Sequence, residues 1–195
     1  MNKLIGAAAV TLATSFAFAA DPATSAKAVE LACHRIENLV TLKKIDDAFE
    51  TKFAGITVDV LPQSKASDPV FRVTASVYAG ADGKSTQIII LMDNQARALS
   101  NVVVAGSAPV NAPEWPDTDS VNMAENSLHY VLEGWQTTKP EVKPFYTDLK
   151  AMRLTQAKDS AGQILAKAEF LSSVVSTTLT VYLKSDGSFL SAEVK

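Results

Sequence analysis

Two histidines and one cysteine are the side chains of this sequence best suited to metal binding or nucleophilic catalysis. His34 and His129 both lie in segments with helical periodicity, and no H-x-x-x-H or H-E-x-x-H spacing occurs around either. A zinc site needs several converging ligands, usually with further groups that orient them. The sequence therefore predicts no metal site and favours surface or partly packed positions for both histidines.

Cys33 is the only cysteine and directly precedes His34. Adjacent residues of a helix do not face each other, so the two side chains cannot form a nucleophile–base pair. Cys33 lies one residue from the apolar stripe of its helix, which favours a packed side chain because unpaired cysteine behaves as a small hydrophobe. The alternative is a partly exposed thiol that forms a disulfide with a second chain in an oxidising compartment.

Other catalytic patterns are absent from the sequence. There is no G-x-S-x-G, S-x-x-K, phosphate-binding loop or dinucleotide-binding glycine pattern. Carboxylates lie close together only at Asp46-Asp47 and at Asp117 and Asp119, where solvated carboxylates on a helix face or near a helix N-terminus are the ordinary interpretation. The sequence thus predicts no catalytic residue and no cofactor. An enzyme of unrecognised type is the least favoured function.

Composition excludes several classes of protein. The 195 residues include 18 Lys and Arg against 21 Asp and Glu, for a formal charge of −3, which lacks the electrostatic footprint of a typical nucleic-acid binder. The hydrophobic fraction of 47% supplies enough apolar material for a core. A single cysteine excludes an internal disulfide framework.

The first 19 residues have the plan of a secretory signal peptide. A positive start at Lys3 precedes an uncharged apolar run, Leu4 to Phe18, and an A-x-A site ends at Ala19. The run is shorter than the ~20 apolar residues that span a bilayer. We therefore expect cleavage before Ala20 and no membrane span in the mature chain. The alanine-rich composition of this segment is typical of bacterial export, so we also expect a periplasmic or secreted location.

Residues 20–106 predict a helix followed by four antiparallel strands. Apolar residues recur at helical spacing after a Thr24 or Ser25 cap: Val29, Ala32, Ile36, Leu39 and Val40. A second short helix or an extension is expected through Leu42, Ile45, Phe49 and Phe53, ending at Gly55. Period-2 alternation and turn residues then predict four strands, at Ile56–Val60, Phe71–Val77, Thr86–Met92 and Leu99–Val104.

Residues 119–195 repeat this order. A helix capped by Asp119 or Ser120 is followed by predicted strands at Leu149–Ala157, Gln163–Leu171, Thr177–Lys184 and Phe189–Val194. Thr86–Val104 aligns without gaps on Thr177–Lys195 at an offset of 91 (177 − 86), and the helices align at an offset of 92 (121 − 29). A nearly constant offset is the signature of an internal duplication.

The two predicted modules are joined by residues 107–118, which contain three prolines and Trp115. Proline makes this segment non-helical and semi-stiff. It is either a plain linker with Trp115 packed against a module, or a recognition loop that presents Trp115 to a partner.

The predicted sheets differ on the face turned away from the helices. Placing Ile88, Ile90, Met92, Leu99 and Val103 on the helix side leaves an apolar set on the other face of the first sheet, because successive strand residues alternate: Ile89, Leu91, Val102 and Val104. The matching set in the second module is polar and contains Tyr182. An apolar open face must be covered by the other module or the linker, or by a partner, a second copy or an apolar ligand.

The expected fold class is α+β, with two tandem modules that each pack a helix, or a helix pair, on a four-stranded antiparallel sheet. This order resembles the topology of cystatin-like modules, including the tandem secreted inhibitors of β-lactamases and the PepSY-type domains. Fold does not carry function across, and the paired disulfides of the β-lactamase inhibitors are impossible with one cysteine.

The leading functional hypothesis is an exported, non-enzymatic module that binds a protein or peptide. The candidate interaction surface comprises Tyr78, Ile89, Leu91, Val102, Val104, Trp115 and Tyr182. The alternative is a carrier of a small apolar ligand in a cavity between helix and sheet, and a homodimer is compatible with either.

Overall fold

The structure is a computed structural model, and it describes residues 21–79, 83–106, 120–135 and 139–195. The predicted signal peptide and Trp115 lie outside these residues. The described chain forms a mixed α+β fold with four α-helices, which are α1 (Ser25–Thr41), α2 (Ala48–Thr51), α3 (Ser120–His129) and α4 (Lys143–Thr147). A π-helical turn, Tyr130–Trp135, continues α3, and a 3-10 turn, Pro140–Val142, precedes α4.

Eight antiparallel strands form a single sheet. Their bounds are β1 (Phe53–Val60), β2 (Phe71–Val77), β3 (Ser85–Met92), β4 (Ala98–Gly106), β5 (Leu149–Lys158), β6 (Ile164–Ser172), β7 (Thr178–Lys184) and β8 (Phe189–Val194). The spatial order is β4-β3-β2-β1-β5-β6-β7-β8. The expectation of two separate sheets is therefore replaced by one sheet, in which β1 pairs with β5 at the centre.

We call this β1–β5 pair the seam. It contains three residue pairs, Gly55 with Arg153, Ile56 with Met152, and Thr57 with Ala151. A bulge between Phe53 and Gly55 shifts the register of β1 against β2 just where β1 approaches β5. Bulges bend a strand and increase its local twist, so this one changes the direction of β1 at the centre of the sheet.

Both long helices pack on the same face of the sheet and contact each other. Helix α1 contacts β1, β2 and β5, and α3 contacts β1, β6 and β7, so each helix touches strands on both sides of the seam. Thr24 caps α1 by accepting a hydrogen bond from the Lys27 N–H at 3.3 Å, as the sequence predicts. The core lies between these helices and the sheet and includes Ile36, Ile88 and Phe170, all fully buried.

The predicted second helix through Phe53 is wrong in its extent. Helix α2 is a single turn, and Phe53 and Gly55 belong to β1. Phe49 and Phe53 are both buried, and their four-residue spacing fits either one long helix or a helical turn followed by a buried strand residue. The spacing alone does not distinguish these two structures.

Candidate functional site

The candidate site is the face of the sheet opposite α1 and α3, which we call the open face. Strand register sets its residues, because directly paired residues point to the same side of an antiparallel sheet. One row crosses seven strands of the open face in the order Val102, Ile89, Thr74, Thr57, Ala151, Leu171 and Thr178. The open face is therefore a continuous surface to which both halves of the chain contribute.

One end of the open face is apolar, and we call it the apolar wing: Ile89, Leu91, Val102 and Val104. Val102 is 52% exposed, and the other three side chains are partly buried. The second half of the chain does not cover this wing, because β5–β8 extend the sheet sideways beyond β1. Among the described residues, the second module therefore does not cover the wing, although this was one of the interpretations left open by the sequence.

The other end of the open face is polar. Tyr182 donates a hydrogen bond from its hydroxyl to Glu193 Oε1 at 3.4 Å, and Glu193 also pairs with Lys195 at 2.9 Å. The Lys195 ammonium beside it holds the pKa of the Glu193 carboxyl below its ordinary value. Tyr182 therefore belongs to a polar network on β7 and β8, far across the sheet from the apolar wing.

The two edge strands of the sheet differ in length and chemistry. Edge strand β4 is nine residues long, and Ala98–Gly106 contains neither a charged residue nor a proline. Edge strand β8 has six residues, including Glu193.

Leu99 and Val103 were expected on the helix side, but they are 53% and 43% exposed. The reason is that Leu99 lies in a bulge and Val103 lies on an outermost strand.

A pocket of about 190 Å³ lies on the open face at the seam. Its lining includes Gly55, Thr57 and Arg153. Tyr78, which was predicted as part of an interaction surface, is only 4% exposed and lines this pocket. Its hydroxyl donates a hydrogen bond to the Leu154 carbonyl at 2.6 Å. Burial raises the pKa of Tyr78. Tyr78 therefore links β5 to the end of β2 and can meet a ligand only as a wall of the pocket.

Each histidine lies beside a glutamate carboxylate on the helices. His34 Nε2 lies 3.5 Å from Glu125 Oε1, between α1 and α3, and His129 Nε2 lies 3.0 Å from Glu133 Oε2. Within the part of the chain that the structure describes, no three His, Cys, Asp or Glu side chains are arranged to hold a metal ion. Asp46 accepts a hydrogen bond from the Ala48 N–H at 2.8 Å, which is a capping contact at α2.

Cys33 is fully buried on α1. Burial raises the pKa of its thiol well above the ordinary value, and the nearby Glu125, Glu37 and Glu30 carboxylates add to the shift. The thiolate is the form that attacks disulfides and electrophiles. The packed interpretation of Cys33 therefore agrees with the structure, and the buried thiol is out of reach of a second chain.

We expect Cys33 to resist modification in the native protein. A thiol reagent such as DTNB should leave native protein unlabelled at pH 8 and label one thiol per chain after unfolding in urea, because the reagent needs an accessible thiolate. Absorbance at 412 nm measures the reaction. Rapid stoichiometric labelling without denaturant would contradict the buried position.

Comparison with known proteins returned no matching family model, no curated protein and no solved structure. Among the described residues, no helix has the length and apolar character needed to cross a membrane.

Two features of the structure were not fully predicted from the sequence. Gly55 and Arg153 become neighbours only through the seam, and no motif or spacing links them in the sequence. The exposed edge of β4 was visible in part, since the apolar character of residues 99–104 is plain, but its position at the edge depends on strand order.

Proposed function

We propose that this chain is an exported, non-enzymatic binding module that takes up an extended segment of another protein along β4. One observation carries the proposal: β4 is a nine-residue edge strand with no charge and no proline, and Leu99, Val102 and Val103 on it are all more than 40% exposed. Natural sheets protect their edges with short strands, charged side chains or proline. An unprotected edge of this length suits a strand added by a partner.

The chemistry of β4 defines the partner. An added antiparallel strand would bond to the outward N–H and C=O groups of β4, which have no strand partner among the described residues. Its side chains would alternate between the two faces of the sheet, next to Val102 on the open face and Val103 on the helix face. The partner segment is therefore extended, uncharged over several residues, and apolar at alternate positions.

Neighbouring side chains support the open-face half of this contact. Val102 pairs with Ile89, and Ser100 pairs with Leu91 on the same face, so an apolar side chain placed beside Val102 would continue an existing apolar row. On the helix face, Arg35 of α1 donates to Asn101 Oδ1 at 3.1 Å and holds β4 against the helix layer. The edge is thus supported by α1 before any partner binds.

A charge at the edge of β4 tests the proposal. Selection from a displayed random-peptide library should yield peptides with alternating apolar residues that bind the wild-type protein. The Val102→Lys substitution should weaken their binding by about tenfold or more, because a lysine on an edge strand disfavours pairing with a further strand. Leu190→Lys is the matched control, since Leu190 is 44% exposed on the opposite edge strand. Isothermal titration calorimetry measures both variants.

Two outcomes would overturn this proposal. One is equal loss of peptide binding in Val102→Lys and Leu190→Lys, which would place binding away from β4. The other combines three results: no peptide is selected, the wild-type protein is a dimer by analytical ultracentrifugation, and the Val102→Lys variant is a monomer. That result would make a second copy of the chain the occupant of the edge.

We also infer that the two halves are duplicated modules of the cystatin-like kind expected from the sequence. The support is the matching burial of aligned positions. At an offset of 91, Ile88, Ile90 and Met92 correspond to Leu179, Val181 and Leu183, and each of these six side chains is at most 1% exposed. The halves carry strands β1–β4 and β5–β8 outward from the seam in the same order.

Export rests on the signal-peptide pattern of residues 1–19. Expression in a bacterial host with a secretion pathway should give a mature chain that begins at Ala20, because signal peptidase cleaves after the A-x-A site. Intact mass measurement of the protein from the periplasm checks this. A full-length chain that stays with the cytoplasmic fraction would contradict export.

A further inference from the structure

The pocket at the seam has the features of a small-molecule site. It lies over Gly55, which has no side chain, and beside Ala151 and Ala54, which are 7% and 8% exposed. These three residues make a depression in the centre of the open face, with an apolar floor. Hydroxyl groups of Thr57 and Thr74 stand on the side of the first half.

Arg153 stands on the opposite side of the pocket, on β5. Its side chain is exposed, and it has no hydrogen-bond or ion-pair partner among the residues that the structure describes. Glu169 pairs with Arg153 across the strands, but its carboxylate is engaged by Lys167 at 2.7 Å. The guanidinium of Arg153 is therefore available to a ligand.

Volume and charge limit what the pocket can hold. A space of about 190 Å³ corresponds to roughly six water molecules at about 30 Å³ each, which suits a small organic molecule rather than a long chain. Among the described residues that line the pocket, Arg153 is the one cationic side chain and none carries a carboxylate. A planar guanidinium matches a carboxylate with two parallel hydrogen bonds.

We propose that the seam pocket binds the carboxylate of a short-chain organic acid, with Arg153 pairing with the carboxylate and the short apolar chain resting on Gly55 and Ala151. The Thr57 and Thr74 hydroxyls have no hydrogen-bond partner among the described residues and can donate to the same carboxylate. Both halves of the chain contribute to the site, so it exists only because β1 pairs with β5.

A monoanion fits the pocket better than a phosphate or a cation. Asp59 and Glu169 both lie on the open face next to the pocket, and their charges disfavour a second negative charge on the ligand. A cation would be repelled by Arg153. Asp59 is itself paired with Arg72 at 3.0 Å, so it does not compete for Arg153.

Titration with valerate, followed by amide shifts in NMR spectra of the whole mature protein, tests the site. We expect saturable shifts at Gly55, Thr57 and Arg153, and much weaker binding of valeramide, which has the same shape without the charge. Arg153→Gln should weaken valerate binding about 10- to 100-fold, and Arg153→Lys should recover part of it. Arg97→Gln is the matched control and should change the dissociation constant less than about twofold, because Arg97 lies in the turn between β3 and β4, pairs there with Asp93 and is outside the pocket.

The carboxylate could belong to a free acid or to the C-terminus of a polypeptide, and a second arm of the experiment separates them. A short peptide ending in valine is titrated with a free and with an amidated C-terminus. If the peptide with a free C-terminus binds tightly and the amidated peptide does not, the site is assigned to a chain terminus. If valerate binds more tightly than the free peptide, the site is assigned to a free acid. Non-saturable shifts, equal binding of valerate and valeramide, or unchanged binding in Arg153→Gln would overturn the proposal.

This site is independent of peptide binding at β4. Three strand intervals of about 4.8 Å separate β4 from β1, or roughly 14 Å. Val102→Lys should therefore leave valerate binding unchanged, and Arg153→Gln should leave peptide binding at β4 unchanged. The two proposals can fail separately.

Discussion

Gly55→Ala is expected to destabilise the protein by at least about 3 kcal/mol, the largest effect we anticipate for a single substitution. A Cβ at this position would lie 2.6 Å from the Met152 carbonyl oxygen and 3.2 Å from Arg153 Cα. Both contacts are with backbone, so no side chain can rotate away. Relief requires β1 and β5 to separate, and the seam has only three residue pairs. Urea unfolding followed by circular dichroism should show a much lower midpoint.

Gly162→Ala provides the control for this experiment. Gly162 has φ +80° and nothing within 4 Å of an added Cβ, so its substitution adds backbone strain of about 1 kcal/mol without a steric clash. A clearly larger decrease in the free energy of unfolding for Gly55→Ala than for Gly162→Ala would isolate the contribution of the close backbone approach at the seam. Similar losses for the two variants would mean that β5 moves away at little cost and that the seam is loosely packed.

Strand positions were largely predictable from the sequence. Strands β2 and β8 have the predicted bounds, and each of the other strands differs from its prediction by at most three residues at either end. Period-2 alternation is a local property, and it also assigns the faces of Ile88, Ile90 and Met92 correctly, because all three are fully buried. The apolar wing followed from the same alternation.

The joining of the strands into one sheet was not predictable. Alternation indicates which face of a strand is buried but not which strand lies beside it. The seam depends on the bulge at Phe53–Gly55 and on three residue pairs, and neither leaves a periodic pattern. Helix α4 and its buried Phe145 were also missed, because a five-residue helix is too short to show helical periodicity.

The two candidate sites also differ in how far the sequence predicts them. The edge of β4 is visible in the sequence as an uncharged run, and only its edge position required the structure. The seam pocket could not be predicted, because Gly55 and Arg153 come from different halves and meet only through strand pairing. A site built across two halves requires knowledge of how those halves associate.

Side-chain hydrogen bonds also connect the two halves, and Ser120 makes two of these connections. Its hydroxyl donates to the Glu50 carbonyl at 2.6 Å and accepts from the Phe53 N–H at 2.8 Å. Ser120 begins α3, in the second half, and Phe53 begins β1, in the first. Both residues are fully buried, so water cannot replace the hydroxyl. The contact fixes the start of β1 close to the seam.

Ser120→Ala is therefore expected to cost about 2 to 3 kcal/mol, because it leaves a buried N–H of Phe53 without this acceptor and removes the bond to Glu50. Ser127→Ala is the matched control: Ser127 is equally buried in the same helix, but its hydroxyl bonds only the Met123 carbonyl one turn earlier. The Met123 carbonyl keeps its backbone hydrogen bond within the helix, so Ser127→Ala should lower the free energy of unfolding by less than about 1 kcal/mol. Urea midpoints measure both variants, and faster hydrogen exchange at the Phe53 amide should accompany Ser120→Ala alone. Equal losses, with the Phe53 amide still protected, would show that Ser120 is not what holds β1 against α3.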